Sequence, residues 1–213
     1  IEVLNGAEAV TISRLEELKK LRLTEGIKTL VIEECNKIET LSVPKTVETV
    51  TVDRNENMTG LIFPENIKNI TITNCDKIEK LSIPNGAENI SITSTDMLSE
   101  LSLPEKVKTI TIDNCHAMES LSVLTGTEEV TATHNSCLAE LNLAEGVKTV
   151  AASYAQHVQG KHNIEDAEDR YAHIVGNGAD ENNRSNAHTL DWDGNAWFAG
   201  GIELTSPNGT RYR

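Results

Sequence analysis

The stretch Leu101–Ser120, LSLPEKVKTITIDNCHAMES, is one copy of a unit that recurs at a constant spacing without an insertion. Copies begin at positions 1, 21, 41, 61, 81, 101, 121 and 141. In the quoted copy, Val107, Ile110 and Ile112 occupy positions seven, ten and twelve of the unit. Eight copies in one register predict a solenoid, in which each copy forms one coil and packs on its neighbours.

The apolar columns of the repeat predict one strand in each coil. Positions ten and twelve are aliphatic throughout, whereas positions nine, eleven and thirteen are mostly polar. This alternation is typical of a strand with one face in the core, so we expect positions one, three, seven, ten, twelve and eighteen to be buried. Position fifteen should hold a small polar or thiol side chain that turns the chain, as in Cys35, Asn55 and Thr95.

Proline at position four bears on the return side of each coil. Pro44, Pro64, Pro84 and Pro104 cannot donate a hydrogen bond and favour extended backbone, so we expect no helix there. The spacing of the apolar columns resembles the short 20-residue leucine-rich repeats of bacterial effector proteins, although LxLP stands where those repeats usually read LPxLP. The resemblance implies a leucine-rich-repeat-type solenoid over residues 1–152.

The charges of the repeat follow a second period, which is two copies long. Position eight alternates in sign along Glu8, Lys28, Glu48, Lys68 and Glu88, and the alternation continues to Lys148. Stacked coils lie about 4.8 Å apart, so neighbours in this column are opposite in charge. We interpret the column as a ladder that sets the register, with a row of ion-binding sites as the alternative.

The cysteines are expected to be reduced. Cys35, Cys75 and Cys115 lie two coils apart, which is too far for a disulfide, and Cys137 lies outside their column. Buried thiols of this kind fit assembly in a reducing cytoplasm.

The outward strand positions form the candidate ligand-facing surface. Their threonines fit a half-exposed strand, and the alternatives are a weak protein or glycan contact or an ice-binding array interrupted by acidic residues. The candidate residues are Thr29, Thr49, Thr51, Thr71, Thr109, Thr111 and Thr131.

The C-terminal segment, 153–213, reads differently. Glycines separate short apolar segments, and Asp193-Gly194 and Asn208-Gly209 predict hairpin turns. So short a segment cannot bury both tryptophans by itself, and we expect a homotrimer. The candidate interface residues are Tyr154, His157, Val158, Ile174, Leu190, Trp192, Trp197 and Phe198.

This segment also carries a resemblance. YAQHVQGKHN, positions 154–163, resembles a loop of trimeric adhesin heads. The run from Tyr171 to Leu204 resembles the C-terminal segment of tail fibres and minor tail structural proteins of phages and prophages of Gram-positive bacteria. The resemblance implies a trimeric, β-rich fibre segment, which makes the whole chain mainly β.

Composition excludes several classes of function. The net charge of −14 and the lack of a basic stripe argue against nucleic-acid binding. We find no apolar run of transmembrane length and no signal peptide, so we expect no membrane insertion. Ile1 enters the repeat without a preceding Met, and we expect the chain to be part of a longer protein.

No motif predicts catalysis, a cofactor or a metal site. The six histidines form no H-E-x-x-H, and no G-x-S-x-G occurs. His157 and His162 could instead meet at a three-fold axis and bind a metal. The acidic run 165–169 reads as a solvated loop, with a glycosidase carboxylate pair as the alternative.

The sequence therefore predicts a non-enzymatic, receptor-binding and adhesion element of a phage tail fibre or phage-tail-like particle. It would assemble in the bacterial cytoplasm, reside in the virion, and contact other tail proteins and a protein or glycan receptor on the bacterial surface. The alternative is a bacterial surface or secreted leucine-rich repeat protein that binds a host protein, and a fibre-borne glycan hydrolase comes third.

Overall fold

A computed structural model describes residues 6–105, 107–124, 126–144, 149, 151 and 156–200, and the backbone of 204–205 and 211–212. Its contacts divide the chain into two compact units. We call Ile1–Leu121 with Gly126–Glu140 the solenoid unit, and Ser122–Thr125 with Leu141–Arg213 the tail unit.

The described chain is all β and contains a β-solenoid of about eight turns. In chain order, the strands of the repeats are β1 Ala9–Ser13, β2 Thr29–Glu33, β3 Thr40–Ser42, β4 Thr49–Asp53, β5 Gly60–Ile62, β6 Asn69–Thr73, β7 Lys80–Ser82, β8 Asn89–Thr93, β9 Glu100–Ser102, β10 Thr109–Asp113, β11 Ser120–Val123, β12 Glu129–Thr133 and β13 Glu140–Ala144.

The main sheet of the solenoid has seven parallel strands in the order β1-β2-β4-β6-β8-β10-β12. Each residue pairs with the residue at the same position of the next copy, as in Val50 with Ile70 and Ile110 with Val130. Short strands of the return side pair as β3 with β5 and β7 with β9. The described residues contain no helix, as the prolines predict.

The core lies where the alternation places it. From β2 to β10, the side chains at positions ten and twelve are at most 2% exposed, whereas Thr111 is half-buried beside fully buried Ile110 and Ile112. The predicted register is confirmed. Val10 and Val130 are half-buried, because an end strand has a neighbour on one side only.

The prediction for positions one and three is correct only in every second copy. Leu81 and Ile83 are buried, but Leu101 and Leu103 one coil later are half-buried. In that later copy Pro104 is buried instead, so proline replaces part of the aliphatic surface on the return side. The two-copy period is therefore a period of packing as well as of charge.

Position fifteen closes the turn after each main strand. The Asn55 amide oxygen accepts a hydrogen bond from the Cys35 N–H at 2.9 Å, and its NH2 group donates to the carbonyls of Ile32 and Asp53 at 3.0 and 2.8 Å. Cys75 Sγ instead donates to the Thr73 carbonyl at 3.3 Å. Asn and Cys can share this column because either satisfies buried backbone groups of the adjacent coils.

The cysteines are free thiols, as predicted. Cys35, Cys75 and Cys115 are buried, and Cys137 is exposed. Burial raises the pKa of Cys75 to about 11, which keeps it a protonated thiol at neutral pH.

Position fourteen turns the chain in the left-handed backbone region in seven consecutive copies. The φ values run from 51° at Arg54 and Ser94 to 57° at Arg14 and Asn114. The N–H of this residue still donates to the next coil, as from Ser94 to the Asp113 carbonyl at 2.9 Å. The turn thus bends each coil without breaking the ladder.

In the tail unit, neighbouring strands of one sheet follow the order β13-β14-β15-β16-β17, and a separate two-stranded hairpin comes after them. The remaining strands are β14 His157–Lys161, β15 Tyr171–Asn177, β16 Asn186–Asp191, β17 Ala196–Phe198, β18 Leu204–Thr205 and β19 Arg211–Tyr212.

Strand direction changes within this sheet. Pairing is parallel from β13 to β15 and antiparallel from β15 to β17. The hairpin predicted at Asp193-Gly194 is confirmed, with Gly194 at a φ of 85° and the Asp191 carboxylate accepting the Asn195 N–H at 2.7 Å. The strands that flank Asn208-Gly209 also pair antiparallel, although those two residues lie outside the described part of the chain.

Candidate functional site

The threonine surface of the solenoid unit divides into two columns of different character. At position nine, the Asn69 side chain donates to the Thr49 hydroxyl at 3.0 Å, and the Asn89 side chain donates to the Asn69 side-chain oxygen Oδ1 at 2.8 Å. The Thr109 hydroxyl donates to Asn89 Oδ1 at 2.9 Å. Thr49 and Thr109 therefore join a hydrogen-bonded row that links four coils. Their hydroxyl groups form hydrogen bonds within the solenoid.

The position-eleven column faces solvent without such a row. Thr51, Thr71 and Thr111 are half-buried, and no hydrogen bond within the described residues occupies their hydroxyls. Thr131 is also half-buried, while Thr29, at position nine of an earlier coil, is exposed. These side chains leave small hydroxyl groups at the regular spacing of the coils.

The charge column at position eight forms ion pairs between neighbouring coils. Lys68 Nζ lies 2.9 Å from a Glu48 carboxylate oxygen, and Lys108 pairs with Glu88 in the same way. The hydrogen bond and the charge of Lys68 lower the pKa of Glu48. These two pairs lie two coils apart, whereas the predicted ladder has opposite charges at every step between neighbouring coils, and both carboxylates are engaged by lysine.

The candidate interface residues of the tail unit lie at different depths. Val158 and Ile174 are fully buried and pair side by side in β14 and β15. His157 and Leu190 are half-buried, and Tyr154 lies outside the described residues. Trp192, Trp197 and Phe198 are 47%, 55% and 42% exposed.

Trp197 and Phe198 point to opposite faces of the sheet, because successive strand residues alternate. Trp197 pairs with Thr189, which is 4% exposed, and Phe198 pairs with His188. We call the side of Thr189 and Trp197 the inner face, and the side of His188 and Phe198 the histidine face. A flat interface cannot use both residues at once.

Four rings form a row across the histidine face. His157 stacks on His173 with ring centroids 5.0 Å apart, His173 meets His188 edge-on at 5.5 Å, and His188 lies 4.5 Å from Phe198. Burial and the neighbouring histidines lower the pKa of His173, which favours its neutral form.

A metal site shared by His157 and His162 of three chains stays a prediction. His157 stacks within the ring row on β14, whereas His162 follows the end of that strand at a φ of 41°. Among the described residues, no group of three or more His, Cys, Asp or Glu side chains could hold a metal ion.

The acidic run 165–169 contains a structural carboxylate. Asp166 is 1% exposed and accepts hydrogen bonds from the backbone N–H groups of Arg170 and Tyr171, both at 2.9 Å. It also accepts from Arg170 Nε at 2.9 Å and from the Gln156 amide at 3.3 Å. Burial alone would raise the pKa of Asp166, but these hydrogen bonds and the charge of Arg170 together hold it below its usual value. Asp166 is therefore an ionised anchor of the loop.

A groove of about 680 Å³ lies on the inner face. Trp197 forms one wall, Tyr171 and Arg170 form another, and Ile164 is 50% exposed at the rim. The Arg170 guanidinium lies over the Tyr171 ring, 5.4 Å from its centroid. The remaining lining residues are Glu165, Asp166, Ser185, Asn186, Thr189, Asp191, Asn195, Ala196 and Ala199.

Comparison of the chain with protein-family models, curated proteins and solved structures gives no match. The functional argument therefore rests on the chain's own residues.

Sequence reasoning missed this groove. The i, i+4 spacing of Asp166 and Arg170 is a local signal for an ion pair, but it does not reveal that Trp197, which is distant in the sequence, would face it.

In the described residues there is also no helix with the length and hydrophobicity needed to cross a bilayer.

Proposed function

We propose that this chain is a structural, receptor-binding element of a phage tail fibre or phage-tail-like particle, and that it assembles as a homotrimer through the tail unit. The observation that carries the proposal is β17, an edge strand whose residues are all exposed, including Trp197 and Phe198. It lies within the run that resembles phage tail proteins.

An exposed apolar edge strand needs a cover. In the described part of the chain, β17 pairs only with β16 and ends the sheet, so its outer backbone groups and side chains face solvent. Such edges promote association unless a protein protects them. Fully burying a large apolar side chain stabilises a complex by about 1.5–3 kcal/mol. A second and third copy of the chain would supply that burial for Phe198.

The histidine face fits the interface better than the inner face. Phe198, Leu190 and His157 project from this face, and Trp192 stands next to it at the end of β16. This surface combines one exposed aromatic ring with half-buried apolar and imidazole side chains, a composition close to that of interface cores.

The solenoid unit would act as the spacer or the target-facing module. The aliphatic side chains at positions ten and twelve are buried within its own coils from β2 to β10 and need no partner chain, whereas Ile62 and Met97 are exposed. The hydroxyl row of Thr51, Thr71 and Thr111 is the part of its strand surface left for a receptor on the bacterial surface.

Immunogold electron microscopy of the source bacterium tests this proposal. Antibodies against the chain should label the distal tail of particles released after prophage induction. Labelling of the cell wall with unlabelled particles would contradict the proposal and support a bacterial surface protein that binds a host protein.

A further inference from the structure

We infer that the groove on the inner face of the tail unit binds an uncharged oligosaccharide. The inference rests on the proposed function, since it identifies a receptor as a neutral glycan, and it places this contact in the tail unit, separate from the threonine surface of the solenoid unit.

The groove has the dimensions and walls of a ligand site. Its volume of about 680 Å³ falls within the range of about 300–1,000 Å³ that is usual for small-molecule pockets. Trp197 is 55% exposed on one side, and the Tyr171 ring is half-buried on the other. Exposed aromatic faces of this kind stack on the C–H face of a pyranose ring, since both surfaces are flat and apolar.

The polar groups around the rings are held in place. Asp166 fixes the Arg170 side chain through Nε and leaves the terminal N–H groups of the guanidinium for a ligand. The Asn186 side-chain oxygen accepts the Ile164 N–H at 2.8 Å, which leaves its NH2 group as a donor. Glu165 is exposed and offers a carboxylate acceptor. Sugar hydroxyls can accept from the first two groups and donate to the third.

Charge decides between neutral and anionic glycans. Glu165, Asp166 and Asp191 line the groove, against the single cation Arg170. Phosphate- or carboxylate-bearing polymers would meet like charge there, whereas a neutral sugar would not. Because Trp197 lies on the inner face and Phe198 on the histidine face, a trimer built on the histidine face leaves this groove open.

Binding to the full-length chain can be measured by titration calorimetry and tryptophan fluorescence. The probes are neutral trisaccharides of glucose, galactose and N-acetylglucosamine, with glycerol-phosphate teichoic acid as the anionic probe. We expect at least one neutral trisaccharide to bind in the millimolar range, and teichoic acid to bind more weakly. Trp197→Ala should reduce affinity about tenfold or more, and Trp197→Phe should retain part of it.

Ile62→Ala is the control, because Ile62 is exposed in the solenoid unit and does not line the groove. It should leave sugar affinity unchanged, and circular dichroism confirms that each variant folds. The inference is overturned if no neutral trisaccharide binds, if teichoic acid binds more tightly, or if the two alanine variants bind alike. Light scattering on the same samples keeps the two proposals separate, since a trimer without sugar binding contradicts only this inference.

Discussion

At the scale of single residues, the solenoid is stabilised by buried polar side chains as well as by aliphatic columns. Asn55 is fully buried and makes three hydrogen bonds to backbone groups of its own and the preceding coil. The repeat identifies position fifteen as small and polar or thiol. It does not reveal that this side chain forms hydrogen bonds with backbone groups that would otherwise lack partners, because those bonds depend on how adjacent coils stack.

Asn55→Ala should destabilise the solenoid unit by about 2–3 kcal/mol, because it leaves buried backbone groups unsatisfied. Asn55→Cys should cost less, since Cys75 at the same position donates to the Thr73 carbonyl. Denaturant unfolding followed by far-UV circular dichroism compares the two. Equal losses for both variants would contradict the assigned role.

Position fourteen is the residue-scale feature that the sequence could not predict. Arg, Glu, Asn, Ser and His all adopt φ values between 51° and 57° there, so no residue type signals the turn. The left-handed region costs a non-glycine residue about 1–2 kcal/mol, which glycine avoids.

Ser94→Gly should therefore stabilise the solenoid unit by about 0.5–1 kcal/mol. Ser91→Gly is its matched control, earlier in the same coil in the middle of β8, where glycine should destabilise by a similar amount. Thermal unfolding should show shifts of opposite sign. Shifts of the same sign would exclude backbone strain as the explanation.

At the scale of elements, local pattern predicted the strands and long-range packing determined the groove. Strand alternation and one Asp-Gly turn suffice to predict the main sheet and the β16–β17 hairpin. The groove depends on how the loop around Asp166 packs against β17, which follows much later in the sequence, and no local rule specifies that. The return side also alternates between buried and half-buried in successive copies, and the pattern of a single copy cannot predict that alternation.

The ring row on the histidine face makes the tail unit sensitive to acid. The folded pKa of His173 lies below its usual value, so the unfolded chain binds the proton more readily. Stability from this residue is fully present above the unfolded pKa of about 6.5 and is lost as the pH falls through the lowered folded pKa. His157 from β14 and His188 from β16 face the same ring and add to the repulsion.

Tryptophan fluorescence reports this effect selectively, because both tryptophans lie in the tail unit. The denaturation midpoint of the wild-type chain should fall between pH 8 and pH 5, and His173→Phe should make the fall shallower. His134→Phe, in the solenoid unit, should leave the curve unchanged. An identical pH dependence in wild type and His173→Phe would contradict the assignment.

At the scale of the whole molecule, the two units differ in what they leave unsatisfied. The solenoid unit buries the aliphatic side chains at positions ten and twelve from β2 to β10, whereas the tail unit leaves Trp192, Trp197 and Phe198 about half exposed. The sequence located this contrast correctly, because the aromatic residues are concentrated in the segment 153–213. It did not assign the aromatics to faces, which required the strand pairing.

The central claim is that the histidine face of the tail unit holds the chain in a homotrimer, and light scattering coupled to size exclusion measures it most directly. The full chain should elute with three times its mass of 23.3 kDa. Phe198→Asp should shift it to monomer, because it would bury a charge in the interface. Trp197→Asp, one residue away on the opposite face, should remain trimeric. A monomeric wild-type chain at every accessible concentration, or a trimer lost with Trp197→Asp and kept with Phe198→Asp, would contradict the claim.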